Sequence, residues 1–511
     1  MNTSGDPAPA SPAAQHSHDA EDFRAAVVHL AAEYWPFARS GGLAEAVRGI
    51  ARYQAMAGLN TLVFMPFYAN VREGFPDIEP LGEPFEVTLG GRTERVRIHH
   101  APVTAREPRV HFVACDPLYD RPGLYGEHGE SYPDNHVRFA FFCAAVLHAL
   151  PRISPGPTLI HAHDWHAALA PVYLATEWAE DPYYGRLSTV LTVHNAGYQG
   201  HYGPDALAQL GLPGWLYDTE YMEWYGHLNL LKGGLAFSDM VTTVSPTHAH
   251  ELRTRAGGFG LDDTFNRLSD RFVGILNGID YDVWNPETDP DIVAPYSRDD
   301  LSGKAICKTW IQDNCGLTVN ADVPLFAMSA RLVEQKGLDI ILAADMIPRL
   351  DAEWVFLGQG EPRYEDALLE LAAKAPERIC ARFDFSEDRE HKLMAAADFL
   401  LMPSLYEPCG LTQMRAQRYG ALPIVRRVGG LADTVEDRVT GYVFDEYQPW
   451  ALEEAVRHAL VLYRDRTAWR EHVRIAMDRD FGWEKPVARY GEVYVRAVAH
   501  HVSRHPAAPA A

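Results

Sequence analysis

The chain has no run of about 18 apolar residues, the length a membrane-crossing helix needs, so no transmembrane segment is expected. Positive charge is scarce. Forty-six Lys and Arg stand against 69 Asp and Glu, a net charge of −23, which argues against nucleic acid or an anionic membrane as partner. Any anionic substrate must then meet a local cationic pocket set against the global field. Cysteine is sparse as well: Cys115, Cys143, Cys307, Cys315, Cys380 and Cys409 form no C-x-x-C pair and no Cys/His spacing for zinc. They read as buried apolar thiols of a reducing compartment. The first Lys or Arg is Arg24, so the opening lacks the charged and apolar regions of a signal peptide, and a cytoplasmic protein is expected.

What is present is ordinary globular material, 47% hydrophobic and 23% charged, which excludes wholesale disorder. At 511 residues it exceeds one hydrophobic core. Residues 1–22 are mostly Ala, Pro, Ser and acid, a composition expected to form a disordered tail. Beyond it, short apolar runs alternate with helical patterns. The first series is Val27–Leu30, Thr61–Pro66, His111–Ala114, Thr158–His161, Thr189–Val193, Val241–Val244 and Phe272–Leu276. The second is Leu325–Met328, Trp354–Leu357, Ile379–Phe383, Phe399–Met402, Pro423–Val425 and Tyr442–Phe444. Near-continuous apolar runs separated by helices predict parallel strands buried on both faces. The fold class is α/β, with two doubly wound, Rossmann-like domains facing across a deep cleft at the carboxyl ends of their strands. Asp280 to Asp300, rich in Asp, Pro and Tyr, reads as a linker or irregular crossing. The expected division is therefore 23–284 and 285–482, then a helix over 483–503 crossing back to the first domain, and a tail at 504–511.

The chemistry is sought at the strand ends. After the first strand, Arg39-Ser40-Gly41-Gly42 opens a helix, where unpaired N–H groups can meet an anion; for a lone Gly-Gly a plain tight turn is the simpler reading. The turn does not match G-x-G-x-x-G or the P-loop, which removes the main support for a dinucleotide oxidoreductase or an NTPase. His161, His163, Asp164 and His166 suggest a metal. Yet zinc helices space ligands at i and i+4, and this cluster spans a strand end and a turn. No metal is expected, and His163, Asp164 and Trp165 are assigned to a polyhydroxylated ligand instead. His194 and Asn195 end the next strand and suit a sugar, although a structural histidine is the plainer reading. In the second domain Arg331 and Lys336 share one strand-to-helix loop and can meet one phosphate, Arg as a fork and Lys as a point charge. Glu407 precedes a helix, where it complements the dipole or accepts bonds from sugar hydroxyls. Gly429, Gly430 and Leu431 repeat the Gly-Gly helix start.

In order and spacing, SGGLAEAV, HAHDWHA, TVHNAGYQG, VSPTHAHEL, LNGID, SARLVEQKGLD, PSLYEPCGLTQ and RRVGGLADTV resemble the motifs of bacterial glycogen synthases and plant starch synthases. The resemblance runs from about Ala26 to about Val502. It implies the two-domain GT-B fold and a retaining transferase. Such an enzyme moves α-glucosyl from ADP-glucose, a substrate, to the non-reducing end of an α-1,4-glucan such as glycogen, with no metal or other cofactor. By resemblance, Arg39, Gly41, Gly42 and Asn277 bind the donor, Arg331 and Lys336 neutralise the departing ADP, and Glu407 holds the glucosyl group. The amides of Gly429, Gly430 and Leu431 complete a phosphate cradle. His194 lies near the transferred glucose, with Asp164, His163, Trp165 and Asn195 on the acceptor side. Retention in such families is explained by same-face attack, so the paired carboxylates of glycosidases are not required. Two positions depart from the pattern: Arg39 replaces the usual Lys of the first loop, and Arg415 stands eight residues after Glu407, where relatives often have Tyr. Both leave a UDP-glucose donor or a small acceptor open beside ADP-glucose and glucan. A catalytically silent glucan-binding homologue is the alternative of another class, and it would be expected to lose Arg331, Lys336 or Glu407.

Overall fold

The computed structural model describes residues 25–127 and 129–505. The expected N-terminal tail and residues 506–511 of the C-terminal one lie outside them. The chain divides into two compact units. The first is built from the described residues of Met1–Val244, Ala249–Ile275 and Trp483–Ala511, the second from Ser245–His248 and Leu276–Gly482.

Unit 1 is a nine-stranded sheet with helices on its faces. Its strands are β1 (Ala26–Leu30), β2 (Thr61–Pro66), β3 (Glu79–Leu89), β4 (Arg92–His100), β5 (Arg109–Ala114), β6 (Thr158–His163), β7 (Ser188–Val193), β8 (Met240–Thr243) and β9 (Phe272–Gly274). They lie in the order β9-β8-β7-β6-β1-β2-β5-β4-β3. The seven apolar runs expected from the sequence fall on the seven mutually parallel strands. The β3–β4 hairpin adds an antiparallel edge the apolar pattern did not announce. Its outer strand alternates and is largely solvent-facing, as antiparallel edges are, and Gly90 and Gly91 make its turn with φ of 54° and 79°.

The order reverses at β1, which is flanked by β2 on one side and β6 on the other. Ligands of open α/β sheets bind outside the strand ends at such a switch point. Here those ends are the loop 31–41, His163-Asp164 and, on the next strand, His194. The helix Glu484–Arg504 lies in unit 1, its Val487, Tyr490, Val493 and Tyr494 buried with Val27, Ile50, Leu159 and Val190. The helix Asn135–Ile153 is long and apolar enough to cross a membrane by length and composition, and 78% of it is buried inside the fold.

Unit 2 is a six-stranded parallel sheet of β10 (Leu325–Ser329), β11 (Glu353–Leu357), β12 (Ile379–Arg382), β13 (Phe399–Met402), β14 (Leu422–Arg426) and β15 (Tyr442–Phe444). Its order is β12-β11-β10-β13-β14-β15, with the switch point between β10 and β13.

Two details of the expected division change. The chain passes between units after Ile275 rather than after 284, because Asp280–Asp300 is folded into unit 2 and is not a linker. Trp284 stacks on His391 with centroids 3.8 Å apart, and Asp289 pairs with the same ring at 2.6 Å. Ser245–His248 also belongs to unit 2, held by Ser245 Oγ donating to Pro408 O and Thr247 Oγ1 donating to Asp433, both at 2.7 Å.

Candidate functional site

In unit 2 the switch point brings two loops together. Gly337, at φ +77°, turns the loop after β10 so tightly that a Cβ would meet Pro403 O at 2.1 Å. The loop after β13 is tied to it by Leu405 N donating to Gln335 O at 2.8 Å and Gln335 Nε2 donating to Tyr406 O at 3.1 Å. Across this junction Lys336 Nζ donates to Glu407 Oε2 at 2.6 Å. Ser404 Oγ donates to the same oxygen at 3.0 Å. The pair is largely buried, with side chains 18% and 8% exposed. Arg331, at the mouth of the same loop, is exposed and its side chain has no partner among the described residues. A cation held against a carboxylate beside a free guanidinium suits a ligand with an anionic end and a hydroxylated end.

The second Gly-Gly element, Gly429-Gly430, departs from the expected phosphate cradle. Gly429, at φ +42°, folds back so closely that a Cβ would meet Glu407 O at 1.9 Å, and one on Gly430 would meet Cys409 O at 2.1 Å. The N–H of Gly430 is consequently directed at the carbonyls of Glu407 and Pro408, each at 3.2 Å, and that of Leu431 at Val428 O at 3.0 Å. These two amides serve the turn, not an open cradle, and the glycines are required by close backbone approach. Asn277 is buried beside Cys409, and its Oδ1 has no partner among the described residues, as is true of Ser329 Oγ at the end of β10. Arg415 turns inward. Its guanidinium lies 4.1 Å over the ring of Trp284 and 3.5 Å from Glu390, almost wholly buried.

In unit 1, Gly41 is extended at φ −167° and caps the helix Gly42–Met56. Beyond chain neighbours and the helix's own backbone, no described residue lies within 4 Å of a Cβ built on Gly41 or Gly42, and neither N–H donates to a described residue. The fold itself does not require these glycines, in contrast to Gly429 and Gly430. Glu33, which the sequence did not single out, anchors the loop by accepting from Ser40 N, Ser40 Oγ and Tyr125 OH, each at 2.6 Å. Arg39 pairs with Glu45 of the first helical turn at 2.9 Å.

Asp164 starts the turn after β6 in a left-handed conformation, φ +55°, a sparsely populated region for a non-glycine residue. Its Oδ1 accepts from His194 N at 2.7 Å and Asn195 N at 3.4 Å, fixing the end of β7. Burial outweighs those two bonds and pushes its carboxyl up to about 7. His163 was expected to touch sugar. Instead it is fully buried, its Nε2 bonded to His29 and its Nδ1 to His194, both at 2.9 Å. Trp165 is also turned inward, edge-on to Phe139 at 5.3 Å and under Gly200, whose Cβ would strike the indole at 2.6 Å. Asn195 Oδ1 accepts from Gly197 N at 2.9 Å and shapes the following loop. The imidazoles of His161, His163 and His166 do not converge: His166 packs on Tyr125 and Phe139. The rings that converge are His29, His161 and His163, and all six of their nitrogens are already engaged in hydrogen bonds.

The first half of the chain, residues 26–267, matches the family model described as starch synthase catalytic domain, and residues 316–475 match glycosyl transferases group 1. A glycogen synthase of Syntrophotalea carbinolica is 41% identical, over 93% of this chain and 99% of its own. One of Anaeromyxobacter dehalogenans is 42% identical, over 92% and 98%. The chain belongs to the glycogen synthase and starch synthase family. Among solved structures, the catalytic domain of starch synthase IV from Arabidopsis thaliana, bound to ADP and acarbose, matches with a TM-score of 0.84 at 32% identity, covering 93% of this chain and 99% of that one. Sucrose-phosphate synthase from Thermosynechococcus elongatus, at TM-score 0.60 and 18% identity over 93% and 100% of the two chains, shares the GT-B fold. The protein is a glucosyltransferase with the function of a glycogen or starch synthase.

Proposed function

We propose that this synthase transfers α-glucosyl from ADP-glucose to the non-reducing end of an α-1,4-glucan with retention, releasing ADP, without a metal or other cofactor, in the cytoplasm. The observation that carries the reading is the Lys336–Glu407 contact at the switch point of unit 2, on the loop that also carries the exposed Arg331, whose side chain has no partner among the described residues. As the bond from sugar to diphosphate breaks, negative charge grows on the β-phosphate oxygen. Lys336, held beforehand by Glu407, and Arg331 on the same loop stabilise that charge more than they stabilise the ground state. Glu407, held by Ser404, accepts bonds from glucosyl hydroxyls. The open Gly41–Gly42 helix start binds donor phosphate through backbone N–H groups. In unit 1 His194 meets the transferred sugar, and Asp164 holds the backbone of His194 and Asn195 for the acceptor side.

The starch synthase IV structure bound to ADP supports an adenine donor here. The inward turn of Arg415 supports it too, since that charge is spent on Trp284 and Glu390. Arg39 favours the second reading, a UDP-glucose donor, because Arg and Lys differ in reach and geometry. Incubation with ADP-glucose or UDP-glucose plus glycogen, following release of ADP or UDP, decides between them. Faster turnover with UDP-glucose sinks the first. Activity is expected to survive exhaustive EDTA treatment; its loss would return a metal to the mechanism.

A further inference from the structure

Unit 1 contains a continuous buried chain of eight hydrogen-bonding side chains that ends on His194. Gln54 stands at its centre. Its Oε1 bonds His29 Nε2 at 2.9 Å, and its Nε2 donates to Tyr494 OH at 2.7 Å. On one side His29 Nδ1 meets His163 Nε2, and His163 Nδ1 meets His194 Nε2, each at 2.9 Å. On the other side Tyr494 OH meets His161 Nδ1 at 2.8 Å, and His161 Nε2 reaches Thr192 Oγ1 and then Thr242 Oγ1 in steps of 2.6 Å.

Burial holds all four rings neutral. It lowers His29 to about 4 and His194 to about 3, and it puts His161 and His163 well below the ordinary range. A neutral imidazole carries one N–H, so it donates at one nitrogen and accepts at the other. Each ring therefore passes its choice to the next. The amide oxygen of Gln54 accepts only, so His29 carries its proton on Nε2 and accepts at Nδ1. His163 then donates from Nε2 and accepts at Nδ1, and His194 donates from Nε2. His194 Nδ1, which has no partner among the described residues, is left as a lone pair.

We propose that Gln54 is a positioning residue that acts through His29 and His163 to hold His194 in its Nε2–H tautomer, so that Nδ1 is presented to the substrate as an acceptor for a sugar hydroxyl. Gln54 lies on the helix Gly42–Met56 and Tyr494 on the C-terminal helix, so two elements outside the strand ends set the polarity of the residue at the end of β7. The inference deepens the proposed function and rests on His194 facing the sugar. If the amide were reversed, every bond of the chain would reverse with it and His194 would offer a donor, which suits a different set of substrate oxygens.

The test compares Gln54→Met, which removes both bonds, with Gln54→Glu, which keeps the acceptor toward His29. Ring ¹⁵N spectra of the ligand-free, ¹⁵N-histidine enzyme, assigned with a His194→Gln variant, read the tautomer. Steady-state kinetics with ADP-glucose and glycogen read the consequence. The wild type and Gln54→Glu are expected to show His194 protonated on Nε2, with kcat within about threefold of each other. Gln54→Met is expected to show mixed tautomers and a kcat lower by about tenfold, the scale of one neutral hydrogen bond, at nearly unchanged donor KM. A purely structural Gln54 would make activity follow thermal stability, and Gln54→Glu, which buries a carboxyl, would then be the worse of the two. The proposal is overturned if His194 in the wild type carries its proton on Nδ1, or if its tautomer is the same in Gln54→Met. Normal kcat in His194→Gln would instead overturn the substrate-facing reading of His194, and the catalytic half of the inference with it.

Discussion

Lys336 and Glu407 show how one contact joins two roles. The same 2.6 Å contact that orients the lysine also fixes the carboxylate, which in the proposed function is thereby held for sugar hydroxyl groups. Lys336→Ala is expected to raise the barrier by about 2–4 kcal/mol, the usual loss for a group aimed at developing charge, with glucan binding retained. Turnover from ADP release and glycogen co-sedimentation measure the two separately. The glycines separate in the same way. Gly42→Ala meets no described residue within 4 Å beyond its chain neighbours and its own helix backbone, so its melting temperature is expected to stay near the wild-type value while the donor KM rises. Gly430→Ala would bring a Cβ to 2.1 Å from Cys409 O, and thermal unfolding should show clear destabilisation before any kinetic effect is read.

Among the elements, the C-terminal helix is packed into the core of unit 1. Its entry residue Trp483 is 2% exposed and lies on Gly49, where a Cβ would meet the indole at 2.1 Å. Trp483→Ala leaves a cavity between that helix and the helix Gly42–Met56, at an expected cost of about 3–5 kcal/mol, read from the urea midpoint. Because the same two helices carry Tyr494 and Gln54, loosened packing there also disturbs the hydrogen-bond chain to His194. In unit 2 the corresponding fixed points are buried cations. Lys304 donates to three carbonyls, those of Ala395, Ala397 and Tyr419, and Lys308 pairs with Asp398 at 2.7 Å. They anchor the helix Ser302–Asn314 to the sheet.

For the molecule as a whole, the histidines of unit 1 set the response to acid. Burial lowers His29 and His111 to about 4, and His166 and His194 to about 3. Groups depressed below their unfolded value near 6.5 contribute stability that is complete above that pH and is lost as pH falls through the folded values. Asp164 runs the other way: raised to about 7, it weakens the fold as pH rises from about 4 to 7. Four histidines outweigh the two carboxyls that burial raises to about 7, Asp164 and Glu353 of unit 2, each group contributing up to about 1.4 kcal/mol per pH unit. The urea midpoint is therefore expected to fall between pH 6.5 and 4, with unit 1 opening first by hydrogen exchange. A flat profile would contradict these buried neutral rings.

The strands were legible because parallel strands covered on both faces are continuously apolar, and that pattern needs no partner to be recognised. The β3–β4 hairpin was not, since an edge that faces water alternates like many loops. The loop residues Arg331, Lys336, Glu407 and His194 could be found as polar groups at strand ends, where a doubly wound sheet exposes its chemistry. Sequence could not say that His163 and Trp165 turn inward, that the amides of Gly430 and Leu431 are spent on their own turn, or that Asp280–Asp300 is folded. Each depends on which neighbour arrives from far along the chain. Glu33, Gln54, His29 and Tyr494 carried no local signal at all. Sequence alone determined the alternation of elements and the family; tertiary structure decided which polar groups are used up by the protein and which are left for a ligand, because a hydrogen bond is fixed by distance and direction, not by order along the chain.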